Sequence, residues 1–263
     1  MIKTSKKNAE TITLAVINQK GGVGKSTTVV NLSAALGELN KKVLLVDLDP
    51  QGNATSGFGI EKITGMKSVY DGLLEDAPIA EVIQHTSEKN VDLVPATIDL
   101  AGAEVDLAAS MARESRLKEF LSPIRGEYDF VLIDCPPSLG LLTINGLTAA
   151  NSLIIPIQCE FYALEGLSKL LDTMKLVKNR LNHPELDVFG VLLTMYDART
   201  TLAKQVEEEI KKFFGDKVFK TIIPRSIKLA EAPSYGTSIL KYSSSSKGAI
   251  AYRALAKEVI KRG

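Results

Sequence analysis

Short apolar runs alternate along the chain with longer segments in which apolar residues recur every three or four positions. Several short runs, LLV, FVLI and LIIPI among them, contain no polar residue, which is typical of central parallel strands covered on both faces. The short runs predict strands at residues 12–17, 43–46, 91–94, 130–133, 153–157, 189–193 and 218–223. The longer segments predict helices at residues 25–39, 111–125, 141–150, 162–182, 200–214 and 248–261.

This alternation predicts an α/β fold with a doubly wound, mostly parallel sheet flanked by helices. Ligands of such sheets bind at the carboxyl ends of the strands, so we expect functional residues directly after them. No repeat interrupts the pattern, and residues 11–263 are expected to form a single domain. Residues 1–10, MIKTSKKNAE, are expected to be a flexible basic tail, since no apolar run typical of a signal peptide follows them.

Composition narrows the class of protein. With 263 residues, 45% hydrophobic and 24% charged, the chain can bury a substantial core and is unlike disordered or fibrous proteins. Its two cysteines exclude a disulfide scaffold and suit a reducing cytoplasm. Residues 135–159 carry no charge but are interrupted by Pro, Gly and Asn, so a buried helix and strand are expected there instead of a membrane span.

The net charge of +1 conceals an uneven distribution. Residues 220–263 contain nine basic and two acidic side chains, and the rest of the chain is acidic on balance. A basic end on an otherwise acidic protein suits conditional binding to DNA, although a solvated helix face can have the same composition.

A glycine-rich segment, NQKGGVGKST at residues 18–27, lies between the first predicted strand and the first predicted helix. Such a turn presents backbone N–H groups and the positive end of a helix dipole to phosphate. Here Lys25 is expected to neutralise the β- and γ-phosphates, Ser26 to coordinate Mg²⁺ and Thr27 to donate to the α-phosphate. The predicted nucleotide-binding residues are Lys20, Gly21, Gly22, Val23, Gly24, Lys25, Ser26 and Thr27.

Carboxylates follow two of the predicted strands. Asp47 and Asp49 lie in VDLDPQGN, and Asp134 ends the apolar run FVLID. An aspartate at the end of a buried strand can hold Mg²⁺ through a water, which is the role expected for Asp134. Phosphoryl transfer also needs a carboxylate that orients the attacking water. Cys135 is expected to be a small packed residue, because one thiol beside two prolines makes no metal site.

The loop departs from the usual G-x-x-x-x-G-K-[ST] pattern, because Gln19 replaces the first glycine and Lys20 follows it. Here the sequence resembles the ParA/MinD family of deviant Walker-A ATPases, whose signature is KGGxGK[ST]. The resemblance to the Soj-like chromosomal branch covers nearly the whole chain, including VLLVDLDPQGNATSG, IDCPPSLGLLTINGLTAA and IPRSIKLAEAPSYG. It implies a P-loop ATPase that uses ATP and Mg²⁺ and partitions chromosomal or plasmid DNA.

The resemblance also implies roles for individual residues. In an ATP-dependent homodimer, Lys20 would reach the phosphates bound by the other subunit and stabilise γ-phosphate charge in trans. Asp49 would orient the attacking water, and Asp47 would support the Mg²⁺ site. The expected catalytic residues are therefore Lys20, Lys25 and Asp49, and the expected metal site comprises Ser26, Asp47 and Asp134. The chain lacks the N-K-x-D tetrapeptide of GTPases, which favours adenine.

In the family, the ATP-bound dimer binds double-stranded DNA non-specifically, associates with the nucleoid in the cytoplasm and is stimulated by a ParB-type partner. The matching DNA-binding positions are Arg199 in MYDART and Lys228 in RSIKLAEAP. Lys228 keeps the charge of the arginine that relatives often carry but lacks its planar fork. Arg225, Lys247 and Arg253 are further candidates, and each can equally be an ordinary solvated charge.

Two other functions are compatible with the same loop. A MinD-like membrane switch would use the last helix as an amphipathic anchor. The segment AIAYRALAKEVIKRG lacks Trp and Phe, so it is expected to pack against the sheet, and no membrane partner is expected. A ligase or an iron–sulfur reductase is the other alternative, but Cys135 and Cys159 do not form the C-x-x-C spacing expected of a cluster carrier.

Overall fold

The computed structural model describes residues 10–160 and 165–263, with only the backbone described at residues 165 and 166. Its strands are β1 (Ile12–Val16), β2 (Val43–Asp47), β3 (Gln84–His85), β4 (Val91–Val94), β5 (Phe130–Asp134), β6 (Ser152–Gln158) and β7 (Asp187–Thr194). Its helices are α1 (Lys25–Glu38), α2 (Asn53–Gly57), α3 (Val69–Leu74), α4 (Ile79–Val82), α5 (Ala103–Ala108), α6 (Arg116–Phe120), α7 (Leu141–Ala149), α8 (Glu165–Arg180), α9 (Thr201–Phe214), α10 (Ile227–Glu231), α11 (Ile239–Tyr242) and α12 (Lys247–Arg262).

The strands form one sheet in the order β3–β4–β2–β5–β1–β6–β7, and every pair is parallel except β3 with β4. β1 and β2 follow one another in the sequence but are separated in the sheet by β5. Asp47 and Asp134 are register partners on β2 and β5, and Val16 on β1 is the register partner of Asp134. The carboxyl ends of these three central strands thus meet at one edge.

Helices cover both faces of the sheet because alternate strand residues point to opposite sides. On one face, Ala15 and Leu44 pack in a cluster with side chains of α7 and α8, among others. On the other face, Leu14 and Leu45 pack with side chains of α1 and α12. Burial on both faces explains why the central strands are continuously apolar. The predicted doubly wound, mostly parallel α/β fold is confirmed.

The segment predicted as a strand at residues 218–223 does not form one. Its backbone touches β7 only at separate points, where Phe219 N donates to Val191 O (2.9 Å) and Ile223 N donates to Leu193 O (2.9 Å). Between them, the N–H groups of Lys220 and Thr221 donate to the carboxylate of Glu258. Because Glu258 of α12 accepts from these N–H groups, they cannot donate to β7 as a continuous strand pairing would require. The strand prediction was therefore wrong.

The single helix predicted at residues 111–125 is also wrong. Residues 111–115 form turns, α6 covers only five residues, and Ser122–Ile124 is a short 3-10 helix. Pro123 cannot donate a helical hydrogen bond. The side chain of Asn145 accepts from Leu117 N (3.0 Å) and donates to Arg113 O (2.7 Å), which satisfies backbone groups where α6 begins.

The predicted helix at residues 162–182 corresponds to α8, and its first residues lie outside the described part of the chain. Most of the tail predicted at residues 1–10 also lies outside it. Helices α2 to α5, α10 and α11 contain six residues or fewer, too few for a helical period to be recognised in the sequence.

Candidate functional site

The glycine-rich loop connects β1 to α1 and wraps the start of that helix. Gly22 (φ +75°) and Gly24 (φ +88°) adopt left-handed backbone conformations, which are unfavourable for residues that have a side chain. The hydroxyl of Thr194, the last residue of β7, donates to Val23 O at 2.8 Å. The loop is therefore shaped by its glycines and held against the end of a neighbouring strand.

The start of the loop is anchored to β6 and the residues that follow it. The Asn18 amide donates to Pro156 O (2.7 Å), and its Oδ1 accepts from Lys20 N (3.0 Å). The ammonium group of Lys20 lies 2.7 Å from Glu160 Oε2, and both side chains are about half exposed. Lys20 thus lies at the rim of the site and is accessible from outside the chain.

The amino terminus of α1 is available for an anion. Within the described residues, no side chain caps this helix and its first turn contains no acidic residue. The N–H groups of Ser26 and Thr27 belong to that first turn, where helical partners are lacking and the dipole is positive. This end of α1 matches the geometry of a phosphate site.

Lys25 occupies the centre of the site and is only 6% exposed. Burial lowers the pKa of its ammonium group, and the negative charges of Asp134 and Asp49 oppose that shift. Its Nζ donates to Lys20 O at 3.4 Å. A buried ammonium group beside carboxylates that it does not pair with directly is prepared to receive an anionic ligand.

Asp134 ends β5 and is fully buried. Among the described residues, neither of its carboxylate oxygens has a hydrogen-bond partner. Burial raises the pKa of Asp134 well above its usual range, with Asp47 adding to the shift, while the Ser26 hydroxyl and Lys25 oppose it. Buried carboxylate oxygens without partners fit a cation, and Ser26 beside them supplies the oxygen donor that Mg²⁺ prefers.

Asp47 lies beside Asp134, but its oxygens are already hydrogen-bonded. Its Oδ2 accepts from both the backbone N and the hydroxyl of Thr55 (2.7 Å each), and its Oδ1 accepts from Asp49 N (3.2 Å). Burial raises the pKa of Asp47 to about 6 despite these bonds. In this arrangement Asp47 anchors α2 and the loop before it, a contribution that the sequence did not reveal.

Asp49 is 7% exposed and lies in the turn after β2. Its Oδ1 accepts from Gln51 N (3.0 Å), and its carbonyl accepts from Gly52 N (2.8 Å). Asp49 is thus a turn residue of an Asp-Pro segment, which does not conflict with a role in the site. The same turn directs Asp49 into a cavity that it shares with the phosphate loop.

That cavity has a volume of about 450 Å³. It joins residues predicted from the sequence to others that were missed, and the predicted ones are Gly21, Gly22, Gly24, Lys25, Ser26, Thr27 and Asp49. The missed residues come from distant segments and include Asn31, Pro137, Met195, Pro233 and Thr237. Met195 has a left-handed backbone (φ +49°), an uncommon conformation for a non-glycine residue that no sequence pattern indicated.

The cysteines and the other metal-binding residue types form no separate centre. Within residues 10–160 and 165–263, no group of three or more His, Cys, Asp or Glu side chains is arranged to hold a metal. Cys135 is buried and its pKa is raised, as expected for a packed thiol, and both it and Cys159 are free. A bound Mg²⁺ would therefore depend on few protein oxygens, together with ligand oxygens and water.

Three of the basic residues singled out in the sequence lie in one surface groove, namely Arg199, Arg225 and Lys247. Arg199 is 89% exposed at its side chain and forms a two-pronged ion pair with Asp197, whose pKa falls to about 2 in consequence. Lys228 is exposed on α10, and its Nζ donates to Ser243 Oγ (2.9 Å).

Arg253 is placed differently from the other basic residues. Its guanidinium bonds both carboxylate oxygens of Glu38 (2.6 and 2.9 Å) and the carbonyl of Ser244 (2.6 Å). These bonds tie α12 to the end of α1. The structure therefore assigns Arg253 a packing contact, and does not place it in the groove with Arg199.

The last helix packs as expected. Tyr252, Leu255 and Val259 on α12 are buried in the cluster that includes α1 and the sheet, while Ile250 is exposed. The apolar face that an anchor would need is thus largely used within the fold. No helix in the described ranges is both long and apolar enough to span a bilayer.

A family model described as an AAA domain matches residues 11–188. The sporulation initiation inhibitor protein Soj of Bacillus subtilis is 58% identical over 250 residues, which cover 95% of this chain and 98% of Soj. The chromosome partitioning protein ParA of Myxococcus xanthus is 51% identical, over 95% of this chain and 88% of its own length. The chain belongs to the ParA/Soj family of chromosome-partitioning ATPases.

A solved structure of the same fold contains a bound nucleotide. The cobyrinic acid a,c-diamide synthase of Mycobacterium smegmatis, solved with bound ADP and magnesium, is 42% identical and superposes with a TM-score of 0.83. The alignment covers 95% of this chain and 94% of that protein. The identity to Soj and to the M. xanthus ParA protein confirms the resemblance of this chain to the ParA/Soj family over nearly its whole length.

Thr55 offers a test of how this ParA-family site is held together. Thr55→Val removes the hydroxyl that donates to Asp47 and accepts from Ala96 N (3.0 Å). Buried Ala96 N is then left without a partner, and Asp47 Oδ2 keeps only the bond from the backbone N of residue 55. We expect the free energy of unfolding in urea to fall by about 2–4 kcal/mol. Thr55→Ser should recover most of the loss. Thr173→Val, which removes an exposed hydroxyl bond on α8, should have little effect.

The same substitution has a signed pH dependence. The Thr55 hydroxyl bond lowers the pKa of Asp47, so its loss should raise that pKa further above about 6, while the backbone N–H of residue 55 still donates to the carboxylate. The hydroxyl bond stabilises the ionised carboxylate, so the deficit relative to the wild type should be larger at pH 8 than at pH 5. An equal deficit at both pH values would contradict the assigned hydrogen bonds.

Proposed function

We propose that this chain is a Mg²⁺-dependent ATPase that dimerises on ATP, binds double-stranded DNA without sequence preference and drives DNA segregation. The observation that carries the proposal is one cavity at the amino terminus of α1 that is lined by both Lys25 and Asp49. Buried Asp134 lies close enough to act on the charge of Lys25. The 58% identity to Soj over nearly the full length of both chains supports a partitioning role. Such a protein would act on the nucleoid in the cytoplasm.

The purine base has a suitable place beside the phosphate cavity. A second cavity of about 310 Å³ shares Gly24, Thr27 and Met195 with the first. It is also lined by Pro224 and Tyr252, so its surface is more apolar than that of the phosphate site. A triphosphate chain in the first cavity would let the base enter the second, and the missing guanine tetrapeptide makes adenine the expected base.

The phosphate chain would be held by the loop and by α1. Lys25 would bond the β- and γ-phosphates, and the N–H groups of the first helical turn would donate to phosphate oxygens, with Thr27 at the α-phosphate. The Ser26 hydroxyl would be a direct Mg²⁺ ligand, and Asp134 would hold the ion through a water. When bound, Mg²⁺ would neutralise charge on the β- and γ-phosphate oxygens.

Hydrolysis would require groups on both sides of the γ-phosphate. Asp49, held by its turn and aimed into the cavity, would orient the attacking water. Lys20 lies at the rim, where it would leave Glu160 and stabilise γ-phosphate charge in the site of a second subunit. The site would then be complete only in the dimer.

DNA would bind where the basic residues are accessible. Arg199, Arg225 and Lys247 share a groove, and Lys228 is exposed on the adjoining α10, so dimerisation would combine two weak basic surfaces. Phosphate would compete with Asp197 for Arg199. Arg253 would contribute least, because Glu38 already holds its guanidinium. A ParB-type partner would accelerate hydrolysis and so end the DNA-bound state.

A small-molecule ligase is the second candidate, because a 42% identical structure is that of a cobyrinic acid a,c-diamide synthase. The identity to Soj is higher, at 58% over the same share of this chain, and the basic groove has no evident use in that amidation. Partitioning is therefore the function we favour.

Asp49→Ala should separate binding from hydrolysis. The loop and α1 remain intact, so ATP binding and the ATP-dependent dimer should persist, while the steady-state ATPase rate falls by about a hundredfold or more because the water is no longer oriented. Asp172→Ala, at an exposed carboxylate on α8, is the matched control and should hydrolyse ATP normally. Unchanged turnover by Asp49→Ala would contradict the assigned role.

Gly21→Val should block the dimer and leave the subunit intact. A Cβ at Gly21 would meet no atom of the described residues within 4 Å, apart from its two neighbours in the chain, so the side chain would project from the loop without disturbing the fold. We expect nucleotide affinity within about threefold of the wild type and no ATP-dependent dimer by sedimentation velocity. A dimer that still forms with ATP would show that the loop does not face the second subunit.

A further inference from the structure

A surface segment far along the chain from the basic end has an unusual composition. It comprises the 3-10 helix Ile98–Ala101, then α5 and the turn to residue 112. Its inner side chains, Leu100, Ala103 and Leu107, are fully buried and recur every three or four residues. One side of the segment is thus fixed against the core, and the other is presented to solvent.

The outer side of this segment is apolar. Ile98 is 72% exposed, Val105 77% and Met111 91%. The other outward positions without charge are small residues, namely Ala101, Gly102, Ala108, Ala109 and Ala112. Ile98, Ala101, Val105 and Ala108 are spaced as one helical stripe, so the exposed apolar groups are contiguous, which is uncommon on a surface with no binding role.

The charged residues within this segment are all acidic. They are Asp99, Glu104 and Asp106, and residues 98–112 contain no Lys or Arg. The hydroxyl of Thr97 donates to Asp99 (3.0 Å), and that of Tyr70 donates to Asp106 (3.1 Å), which holds both carboxylates in place. More widely, residues 71–114 contain ten acidic and two basic side chains.

The nearest arginine does not offset this charge. The guanidinium of Arg113 donates to Ala108 O (3.0 Å) at the end of α5 and to Glu114 (3.0 Å). The surface formed by Ile98, Asp99, Val105, Asp106 and Met111 is called the acidic stripe below. It combines exposed apolar side chains with fixed negative charge.

The acidic stripe is connected to the nucleotide site by direct packing. Glu104 of α5 lies against Gly140, where a Cβ would come within 1.9 Å of the glutamate oxygen. Gly140 precedes α7 and ends the loop that follows Asp134, and Pro137 of that loop lines the phosphate cavity. A molecule bound on α5 would therefore press on an element adjoining the site.

We propose that the acidic stripe docks a cationic, amphipathic segment of the ParB-type partner. The proposal rests on the proposed function and adds where that partner binds. Lys or Arg side chains would pair with Asp99 and Asp106, while apolar side chains would cover Ile98, Val105 and Met111. A second copy of this chain with its stripe on the two-fold axis fits less well, because that contact would bring like charges together.

Val105→Lys tests the docking site with a purified ParB-type protein from the same organism as the probe. The substitution places a positive charge on the stripe, so the apparent Kd for the ParB-type protein should rise about tenfold or more, with equal loss of ATPase stimulation. The neutral double variant D99N/D106N should weaken binding and reduce its salt dependence. The matched control Leu176→Lys, at an apolar residue 58% exposed on α8, should bind normally.

Basal ATPase, the ATP-dependent dimer and DNA binding should remain within about twofold of the wild type in Val105→Lys, since the side chain touches none of the assigned site residues. Unchanged affinity for the ParB-type protein would overturn the docking site alone. Loss of the ATP-dependent dimer in Val105→Lys would also overturn the docking site, because it would show that the acidic stripe belongs to the interface between the two subunits. A wild-type chain that does not bind the ParB-type protein would contradict the proposed function and the docking site together.

Discussion

Burial of opposite charges at one sheet edge is the constraint on which the site depends. Lys25 loses solvent and its pKa falls, while Asp134 loses solvent and its pKa rises, yet the Asp134 oxygens have no hydrogen-bond partner among the described residues. Isolated buried charges are costly, and a phosphate chain with a divalent cation would remove that cost for both groups at once. Nucleotide binding would thus relieve a desolvation penalty built into the fold.

The sheet topology creates this constraint. Because the strands are parallel, the carboxyl ends of β1, β2 and β5 lie side by side. This places three segments next to one another: the phosphate loop, the turn carrying Asp49 and the end of the strand carrying Asp134. Thr55 then satisfies Asp47 and leaves Asp134 as the carboxylate without partners. Two aspartates in equivalent register positions therefore have different chemical environments.

Much of this could be predicted because the signals are local. A glycine-rich turn before a helix identifies Lys25 and Ser26, and an apolar run that ends in Asp134 identifies its own strand end. Contacts between distant segments were not predictable in the same way. The contact of Arg253 with Glu38 joins residues 215 positions apart, and Glu258 diverts the backbone after Phe219 from the sheet. Met195 and Pro233 reach the cavity only through the folded topology.

The uneven charge distribution now has a spatial interpretation. Arg225 and Lys247 from the last part of the chain lie with Arg199 in one groove, while acidic residues are concentrated in residues 71–114, which include α5. A near-zero net charge therefore combines two surfaces of opposite sign, and we assign the first to DNA and the second to a cationic protein partner. Both proposals require that ATP binding determine how much of the protein is in the dimeric, DNA-binding state.

The central claim is that ATP controls a polyanion-binding surface. Binding to non-specific double-stranded DNA, measured with ATP, ADP or no nucleotide across a salt series, tests it most directly. The account predicts binding with ATP alone, with an affinity that falls linearly on a logarithmic scale as salt increases, because phosphate contacts release counterions. Binding that is equal in all three nucleotide conditions, or insensitive to salt, would contradict it.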